Sequence, residues 1–381
     1  MIPSIQMKTI FSFWIIFFVF ITRVVNLNSQ PYRLNAAFYY SSGIVLDSKG
    51  NAFVTGRNNK IIKITPAGKA ELFAGGGKYC KDGRGNQAAF FDTNGIAIDS
   101  ADNLYVADGS RIRKINTDAV VTTIAGTLTA EVRDGNRQTA SFLNVENIAV
   151  DNRGNIYVTD YSPGKDWKPG QIANSSYYLI RKITPEGTVT TLDNGNGGPL
   201  ILQFPRGLAC DAGGNLYICA SVSHCIKKIS PAGVISTVAG QCDKTKFNSV
   251  YKEGDINTAV LTCPSGIAIA KNGDIYTTDT RLHRIIKIAN NKVTTVAGSG
   301  KFNFTGNPAG AAEPGYADGK TTAARFNAPA GIAFDRNGNL LIADASNSNN
   351  SYIRKLSADG TVTTFCRHEW NPKTSQYEEV E

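Results

Sequence analysis

The stretch Gly95–Gly126, GIAIDSADNLYVADGSRIRKINTDAVVTTIAG, contains four short apolar runs separated by Asp, Asn, Gly and Ser. Each run has five to seven residues and is rich in Ile, Val, Tyr and Thr, which favours β-strands over helices. Ile96 and Ile98 share one face of the first strand and Ala97 lies on the other, so both faces are apolar. A sheet of this kind must be covered on both sides. One four-stranded unit cannot supply that cover alone.

The same pattern occurs six times along the chain. Its copies follow one another at intervals of roughly 50 to 65 residues, and each contains all four runs. Six units of this kind predict an all-β fold, a six-bladed β-propeller of four-stranded antiparallel blades over residues 43–366. The first runs begin at Gly43, Gly95, Asn147, Gly207, Gly266 and Gly331.

The repeats share the pattern GIAxDxxGNLYVxD followed by IRKIxxxGxVTTxAG, which resembles the NHL repeat. The resemblance covers Phe38 to Cys366 and implies a propeller of the NHL type. Propellers of this kind serve as scaffolds, ligand binders and enzymes, so the resemblance implies a fold without choosing a function.

The two ends of the chain lie outside the repeats. Residues 1–29 are predicted to be a signal peptide, because Lys8 precedes an apolar run of twelve residues, Ile10 to Ile21. A membrane span needs about 20 such residues, so we expect a secreted or cell-envelope protein with no transmembrane span unless the signal is uncleaved. Residues 30–42 are predicted to close the ring, since Phe38 stands where each later repeat has an apolar residue before its first run. Residues 367–381 are predicted to form a polar tail.

Charge and motif content narrow the classes of function that this chain could have. The formal net charge is +9 at pH 7, and the basic residues are scattered without a run. Outside the cytoplasm, this excess of positive charge would favour binding to an anionic glycan or would contribute to solubility alone. Nucleic acid is not expected as a partner. The sequence contains no GxSxG or HExxH motif. His224 and His283 stand just before third strands, where a structural role is expected. We therefore favour a monomeric binding protein without a cofactor over an enzyme.

Chain direction places the strand 2–3 loops and the blade-to-blade connectors on one face of the propeller, called here the loop face. Blade 3 has a long strand 2–3 insertion that carries Tyr161, Trp167, Tyr177 and Tyr178. Such aromatics can stack on sugars or anchor a protein, and they can equally fold inward to pin the loop. Because variable loops on a rigid scaffold often carry binding sites, the loop face is predicted to bind a protein or glycan partner.

A second hypothesis concerns the channel mouth, the opening of the central channel on the loop face. The residue before each first Gly or Asn is expected to point into it, and these residues include Asn94, Glu146 and Arg206. In the gluconolactonase and calcium-binding propeller family this position supplies metal ligands, so the resemblance implies Asn94 and Glu146 as alternative Ca²⁺ ligands. Arg206 favours instead an ion pair with Glu146. An extracytoplasmic lyase, lactonase or hydrolase would use Glu146 as base, Arg206 as oxyanion partner and Asn94 as positioner.

Cysteines and repeated aspartates suggest structural contacts. Cys219 and Cys225 flank one hairpin loop, whereas Cys242 and Cys263 bracket one connector, and either pair is a candidate disulfide in an oxidising compartment. The aspartates that end second strands are expected to accept hydrogen bonds from loop amides, and the charged turns of the connectors are expected to be structural. These aspartates are Asp108, Asp160, Asp279 and Asp344.

Overall fold

A computed structural model describes residues 43–379 except 57–58, 128, 130, 163–176, 243–250, 299–313, 346–349 and 372–375. The predicted signal peptide, the predicted ring-closure segment and Trp167 lie outside the described residues. Among the described residues no helix is long and apolar enough to cross a membrane. The helical segments in this part of the chain are two single turns of 3₁₀ helix, Gly85–Gln87 and Thr321–Ala323.

Six antiparallel sheets form the blades, each built from four consecutive main strands with the first strand next to the channel. Blade 1 is β1 Ile44–Leu46, β2 Ala52–Gly56, β3 Lys60–Ile64 and β4 Ala70–Gly75. After β5 Gly83–Arg84, blade 2 is β6 Thr93–Ile98, β7 Leu104–Asp108, β8 Arg111–Ile115 and β9 Val120–Ala125. After β10 Gly135–Asn136, blade 3 is β11 Val145–Val150, β12 Ile156–Ser162, β13 Tyr177–Ile183 and β14 Thr188–Thr191.

The second half of the ring repeats this arrangement. After β15 Ile201–Gln203, blade 4 is β16 Pro205–Cys210, β17 Leu216–Ala220, β18 Cys225–Ile229 and β19 Ile235–Ala239. After β20 Gly254–Asp255, blade 5 is β21 Pro264–Ile269, β22 Ile275–Asp279, β23 Arg284–Ala289 and β24 Lys292–Ala297. After β25 Gly319–Lys320, blade 6 is β26 Pro329–Phe334, β27 Leu340–Ala345, β28 Asn350–Leu356 and β29 Thr361–Asn371, followed by β30 Gln376–Glu379.

The innermost strands pack against one another around a closed ring, and β26 of blade 6 packs against β1 of blade 1. The prediction of a six-bladed all-β propeller is therefore confirmed. Along the described chain, the four main strands of every blade come from one continuous segment, so side-chain packing between blades 6 and 1 closes the ring. In that interface, Ile44 and Val54 of blade 1 join one buried cluster with Ala343 and Ile353 of blade 6.

The prediction of four strands per blade needs a correction at the outer edges. The two-residue strands β5, β10, β20 and β25 come from the blade-to-blade connectors and pair with the outermost strand of the following blade. In addition, β15 pairs with β13, and β30 pairs with β29. Residues 367–371 of the predicted tail thus continue strand β29.

Two glycines of the repeat show why the consensus keeps a glycine there. Gly95 lies in an innermost strand, where an added Cβ would come 2.9 Å from the carbonyl oxygen of Glu146 in the next blade. Gly126 follows the outermost strand of blade 2 with φ +94°, and an added Cβ would lie 3.0 Å from Cα of Arg111. A side chain at either position would push apart backbones that the fold brings together.

Buried arginines tie the connectors to their blades. In blade 2 the side chain of Arg113 is fully buried and donates to Oδ2 of Asp108 at 2.6 Å and to Oδ1 of Asp82 at 2.9 Å. Oδ1 of Asp108 in turn accepts from the backbone N–H groups of Phe91 and Asp92, at 2.6 and 2.9 Å. This confirms the predicted roles of the second-strand aspartate and of the charged turn. We call the arrangement the Asp–Arg clamp; its counterparts are Asp160–Arg181–Asp134 in blade 3 and Asp344–Arg354–Asp318 in blade 6.

Blade 4 has Ala220 where these three blades have the clamp aspartate, and it carries a disulfide. Cys225, the first residue of β18, is bonded to Cys242, which follows β19, so the bond closes the outer hairpin of the blade. Both predicted pairings were wrong, because Cys219 and Cys263 are free thiols. In the β17–β18 register Ala220 faces Cys225 and Cys219 faces Ile226, so Cys219 and Cys225 lie on opposite faces of the sheet.

Candidate functional site

The innermost strands of blades 2 to 6 are irregular at the channel mouth. Each has a register shift near its first residues, between Thr93 and Ile96 in blade 2 and between Val145 and Asn147 in blade 3. The shifts in blades 4 to 6 lie at equivalent positions. Because a β-bulge redirects side chains, it sets the local geometry of the residues that were predicted to face the channel. These include Asn94, Glu146 and Arg206.

Glu146 is half-buried in this bulge and is bonded to an aromatic residue of its own blade. The hydroxyl group of Tyr178 donates a hydrogen bond of 2.8 Å to Oε1 of Glu146. Burial raises the pKa of Glu146; the hydrogen bond from Tyr178 and the charge of Arg206 oppose this rise, and the charge of Asp92 adds to it. Burial also raises the pKa of Tyr178, so the phenol remains the donor in this pair.

Arg206 is exposed at the start of the innermost strand of blade 4. The predicted direct ion pair with Glu146 is not formed, since the guanidinium makes no salt bridge with any described residue and the carboxylate contacts Tyr178 instead. The charge of Arg206 nevertheless influences the pKa of Glu146, of Tyr178 and of Cys263.

Aromatic rings form one wall beside this carboxyl group. Tyr178 is only 3% exposed and packs edge-on against Tyr161, with ring centroids 5.6 Å apart. Phe204 also contacts the ring of Tyr178, at 5.8 Å between centroids. For Tyr178 the interpretation that these aromatics fold inward is thus confirmed, whereas Tyr177 is half-buried in the neighbouring strand position.

Phe204 is a site residue that sequence reasoning missed. It is 41% exposed and has φ +44°, a left-handed conformation that is uncommon for an aromatic residue. Its position, three residues before the first Gly, is occupied by Asp92 in blade 2 and Asn144 in blade 3. An aromatic side chain at a position that is polar in two other blades was the signal available in the sequence.

Asn94 joins blades 2 and 3 at the mouth. Its Nδ2 donates to Oδ2 of Asp92 at 3.4 Å and to the carbonyl oxygen of Val145 at 3.3 Å. The described residues bring together no group of three His, Cys, Asp or Glu side chains that could hold a metal ion. Ca²⁺ takes six to eight oxygen ligands. Asn94 and Glu146, with one carboxylate oxygen bonded to Tyr178 and a guanidinium nearby, do not fit that ion.

The remainder of the mouth is less polar. Ser265 of blade 5 is 5% exposed and donates to the carbonyl oxygen of Cys263 at 3.3 Å, and blade 6 has Ala330 at the equivalent position. Charged and aromatic groups therefore occupy the part of the mouth that blades 2 to 4 form. This sector, with Asp92, Asn94, Glu146, Tyr178, Phe204 and Arg206, is called here the polar–aromatic sector.

His224 and His283 form hydrogen bonds with backbone groups, which agrees with the structural role predicted for them. His224 is 8% exposed, and its Nδ1 is hydrogen-bonded to the carbonyl oxygen of Thr262. Nδ1 of His283 accepts from the N–H group of Ala328 at 2.8 Å. Both rings thus hold the connector that enters the next blade.

Comparison with known proteins agrees with the repeat pattern. The family model described as Teneurin NHL domain matches residues 57–134, and the model described as NHL repeat matches residues 261–288. The protein SUPPRESSOR OF QUENCHING 1, chloroplastic, from Arabidopsis thaliana is 27% identical over 306 residues, which are 74% of this chain and 27% of that protein. The chain thus spans about a quarter of the length of this relative.

Solved structures show the same fold at low sequence identity. An auxiliary nutrient binding protein from Bacteroides thetaiotaomicron has a TM-score of 0.58 and 16% identity, covering 86% of this chain and 69% of that one. A gluconolactonase from Xanthomonas campestris has a TM-score of 0.52 and 14% identity, covering 81% of this chain and 84% of that one. The six repeats, the two matching family models and the closed ring of six blades together support the assignment of this chain to the NHL-repeat β-propellers.

Proposed function

We propose that this protein is an extracytoplasmic binding module that holds a protein or glycan partner on its loop face, at the polar–aromatic sector. The observation that supports it is the exposed ring of Phe204, held against buried Tyr178 and two residues from the exposed guanidinium of Arg206. Aromatic and Arg side chains on a rigid support are typical anchors of binding sites. The described residues that flank the insertion carrying Trp167, Ser162 and Tyr177, are the sequence neighbours of Tyr161 and Tyr178.

An extracytoplasmic location has two independent supports. The apolar run Ile10 to Ile21 follows a lysine and has the length of a signal-peptide core. The Cys225–Cys242 disulfide belongs to the kind of bond that persists in oxidising compartments.

A second candidate function is catalysis at the same mouth. The raised pKa of Glu146 favours this candidate, because a general base works best when its pKa approaches the operating pH. In that case Glu146 would be the base, Arg206 would stabilise a developing oxyanion, and Asn94 would position the substrate of a lyase, lactonase or hydrolase.

The two functions can be separated by one set of variants. The probes are an array of immobilised neutral and acidic oligosaccharides and a displayed library of random dodecapeptides. The variants are a deletion of residues 163–176, Arg206→Ala, Glu146→Gln, and the control Val234→Ser, which alters an exposed strand 3–4 turn on the opposite face. We expect ligands retained by the wild type and by Val234→Ser to be lost by the deletion or by Arg206→Ala.

Two outcomes would contradict the binding module. One is an absence of retained ligands in both collections. The other is retention that survives the mouth variants and fails with Val234→Ser. Conversion of a retained ligand into a product by the wild type, abolished by Glu146→Gln while binding is kept, would establish the catalytic function instead.

A further inference from the structure

We infer that the polar–aromatic sector takes a pyranose that carries a single carboxylate, as in a hexuronic acid residue of a saccharide. The inference rests on the proposed function and specifies its ligand class. It follows from three features of the sector: an exposed aromatic ring with a left-handed backbone, an exposed guanidinium two positions along the chain, and the carboxyl and amide groups of Asp92, Asn94 and Glu146.

The aromatic ring of Phe204 supplies a flat apolar surface. A residue other than glycine in the left-handed region carries a conformational cost of roughly 1–2 kcal/mol, and Phe204 bears that cost while 41% of its surface remains exposed. The ring contacts Tyr178, with centroids 5.8 Å apart, and Tyr178 is fixed in turn by Tyr161 and by the hydrogen bond to Glu146. The orientation of the ring is therefore set before any ligand arrives. A rigid aromatic face of this kind matches the C–H face of a pyranose.

The guanidinium of Arg206 supplies the site for an anion. One residue, Pro205, separates Phe204 from Arg206, so their Cα atoms lie within about 7 Å of each other. That separation is comparable to the width of one sugar ring. Arg206 is exposed, and its planar fork of donors matches the two oxygens of a carboxylate.

The carboxyl groups of the sector limit the ligand to one negative charge. Asn94 links them, because its Nδ2 donates to Oδ2 of Asp92 at 3.4 Å and to the carbonyl oxygen of Val145, the residue before Glu146, at 3.3 Å. The charges of Asp92 and Arg206 both act on Glu146. Two unit charges 4 Å apart interact by about 4 kcal/mol at an effective dielectric constant of 20, so a second anion on the ligand would meet strong repulsion. Carboxylate oxygens accept hydrogen bonds from hydroxyl groups, which a sugar ring presents along its edge. A polyol with one carboxylate therefore satisfies both sides of the sector.

The test compares two ligands that differ at one carbon atom. Methyl β-D-glucuronoside carries a carboxylate where methyl β-D-glucoside carries a hydroxymethyl group. Binding to the full-length protein is measured by titration with ligand-observed NMR, and folding of each variant is checked by its Tm. Because a hydrogen bond to a charged group contributes about 1.5–3 kcal/mol, we expect the glucuronoside to bind at least about tenfold more tightly.

Three variants assign this preference to the sector. Arg206→Ala should bring the two glycosides to equal affinity. Phe204→Asn should weaken both by about tenfold without lowering the Tm, because asparagine tolerates the left-handed conformation better than phenylalanine. Arg336→Ala, an exposed arginine in a strand 1–2 turn on the opposite face, should behave as the wild type. Glucose 6-sulfate tests whether the site is specific for a carboxylate. If it bound as tightly as the glucuronoside, the site would accept anions in general.

Several results would overturn the inference. Equal affinity of the wild type for the two glycosides would do so, as would a preference that persists in Arg206→Ala. Binding of N-acetyl-aspartate amide as tightly as the glucuronoside would identify an acidic-peptide site. If the loop face retains other ligands in the array or library while neither glycoside binds, the ligand class fails and the binding module stands. If nothing binds the loop face, both fail.

Discussion

The hydroxyl group of Tyr178 lies 2.8 Å from Oε1 of Glu146, and this contact joins the start of the third strand of blade 3 to the bulge of its innermost strand. The strand 2–3 insertion of blade 3 ends immediately before Tyr177. The side chain that closes this insertion therefore also holds the carboxyl group of the channel mouth. A change at either residue is expected to affect both the loop and the mouth.

Glu146 should make stability depend on pH. Its folded-state pKa is raised above the value of about 4.3 in the unfolded chain, so its contribution is fully present below that pH and is lost as the pH rises through the folded-state pKa. Glu146→Gln removes this loss. The Tm of Glu146→Gln relative to the wild type should therefore be higher at pH 7 than at pH 4. Glu131→Gln, at an exposed position, corrects for the change in net charge. A Tm difference that is the same at both pH values would contradict the expected burial effect.

Removing one partner of the Asp–Arg clamp should destabilise blade 2. Arg113→Met leaves the buried carboxylate of Asp108 without its cation, which we expect to cost about 3–5 kcal/mol of the free energy of unfolding. The double variant Arg113→Met/Asp108→Asn should recover part of that loss. Urea denaturation measures both. Arg133→Ala, which breaks an exposed pair with Glu131, should cost about 0–1 kcal/mol. Equal costs for the two arginine variants would show that the clamp contributes no more than a surface pair.

The Cys225–Cys242 disulfide closes a segment with a sequence separation of 17 residues. Replacing both cysteines by serine should lower the free energy of unfolding by about 3 kcal/mol. Peptide mapping without reduction should find these two residues linked and five cysteines open to alkylation after denaturation. Cys219→Ala/Cys263→Ala should leave the link intact. A peptide that links Cys219 to Cys225 would contradict the structure.

Gly126 should resist substitution. An alanine there would combine the cost of φ +94° with a clash against the backbone before the third strand of blade 2, and we expect a loss of about 1–3 kcal/mol in the free energy of unfolding. Gly338→Ala is the matched control, because φ is +79° there and no atom lies within 4 Å of the added Cβ. It should show the conformational cost alone. If Gly338→Ala lowers the free energy of unfolding as much as Gly126→Ala does, the close approach of the backbone at Arg111 does not contribute to the cost.

The fold was predictable because its determinants recur in every repeat. Alternating apolar residues such as Ile96 and Ile98 and the polar turns between strands set the strands, and six copies set the number of blades. The two-residue edge strands were not predictable in this way, since Gly83–Arg84 has no periodic pattern of its own. The disulfide depended on which face of the sheet each cysteine occupies, and only the strand register gives that.

The site was predictable in part. The position before the first Gly or Asn directed attention to Glu146 and Arg206 without giving their partners. The partner of Glu146 is 32 residues away in sequence and begins another strand, so no local pattern connects the two. For Phe204 the sequence offered only the contrast with the polar residues at its position in blades 2 and 3, and its left-handed backbone beside a bulge is given by the structure alone.

Among the described residues, packing between β26 and β1, with no strand exchanged between the two ends of the chain, holds the first blade to the last. No blade along the described chain depends on both ends being synthesised before it can form its four main strands. A circular permutant that starts in the connector between blades 3 and 4 would keep the main strands of every blade. The chain termini can therefore be moved to this connector without changing which main strands form each blade.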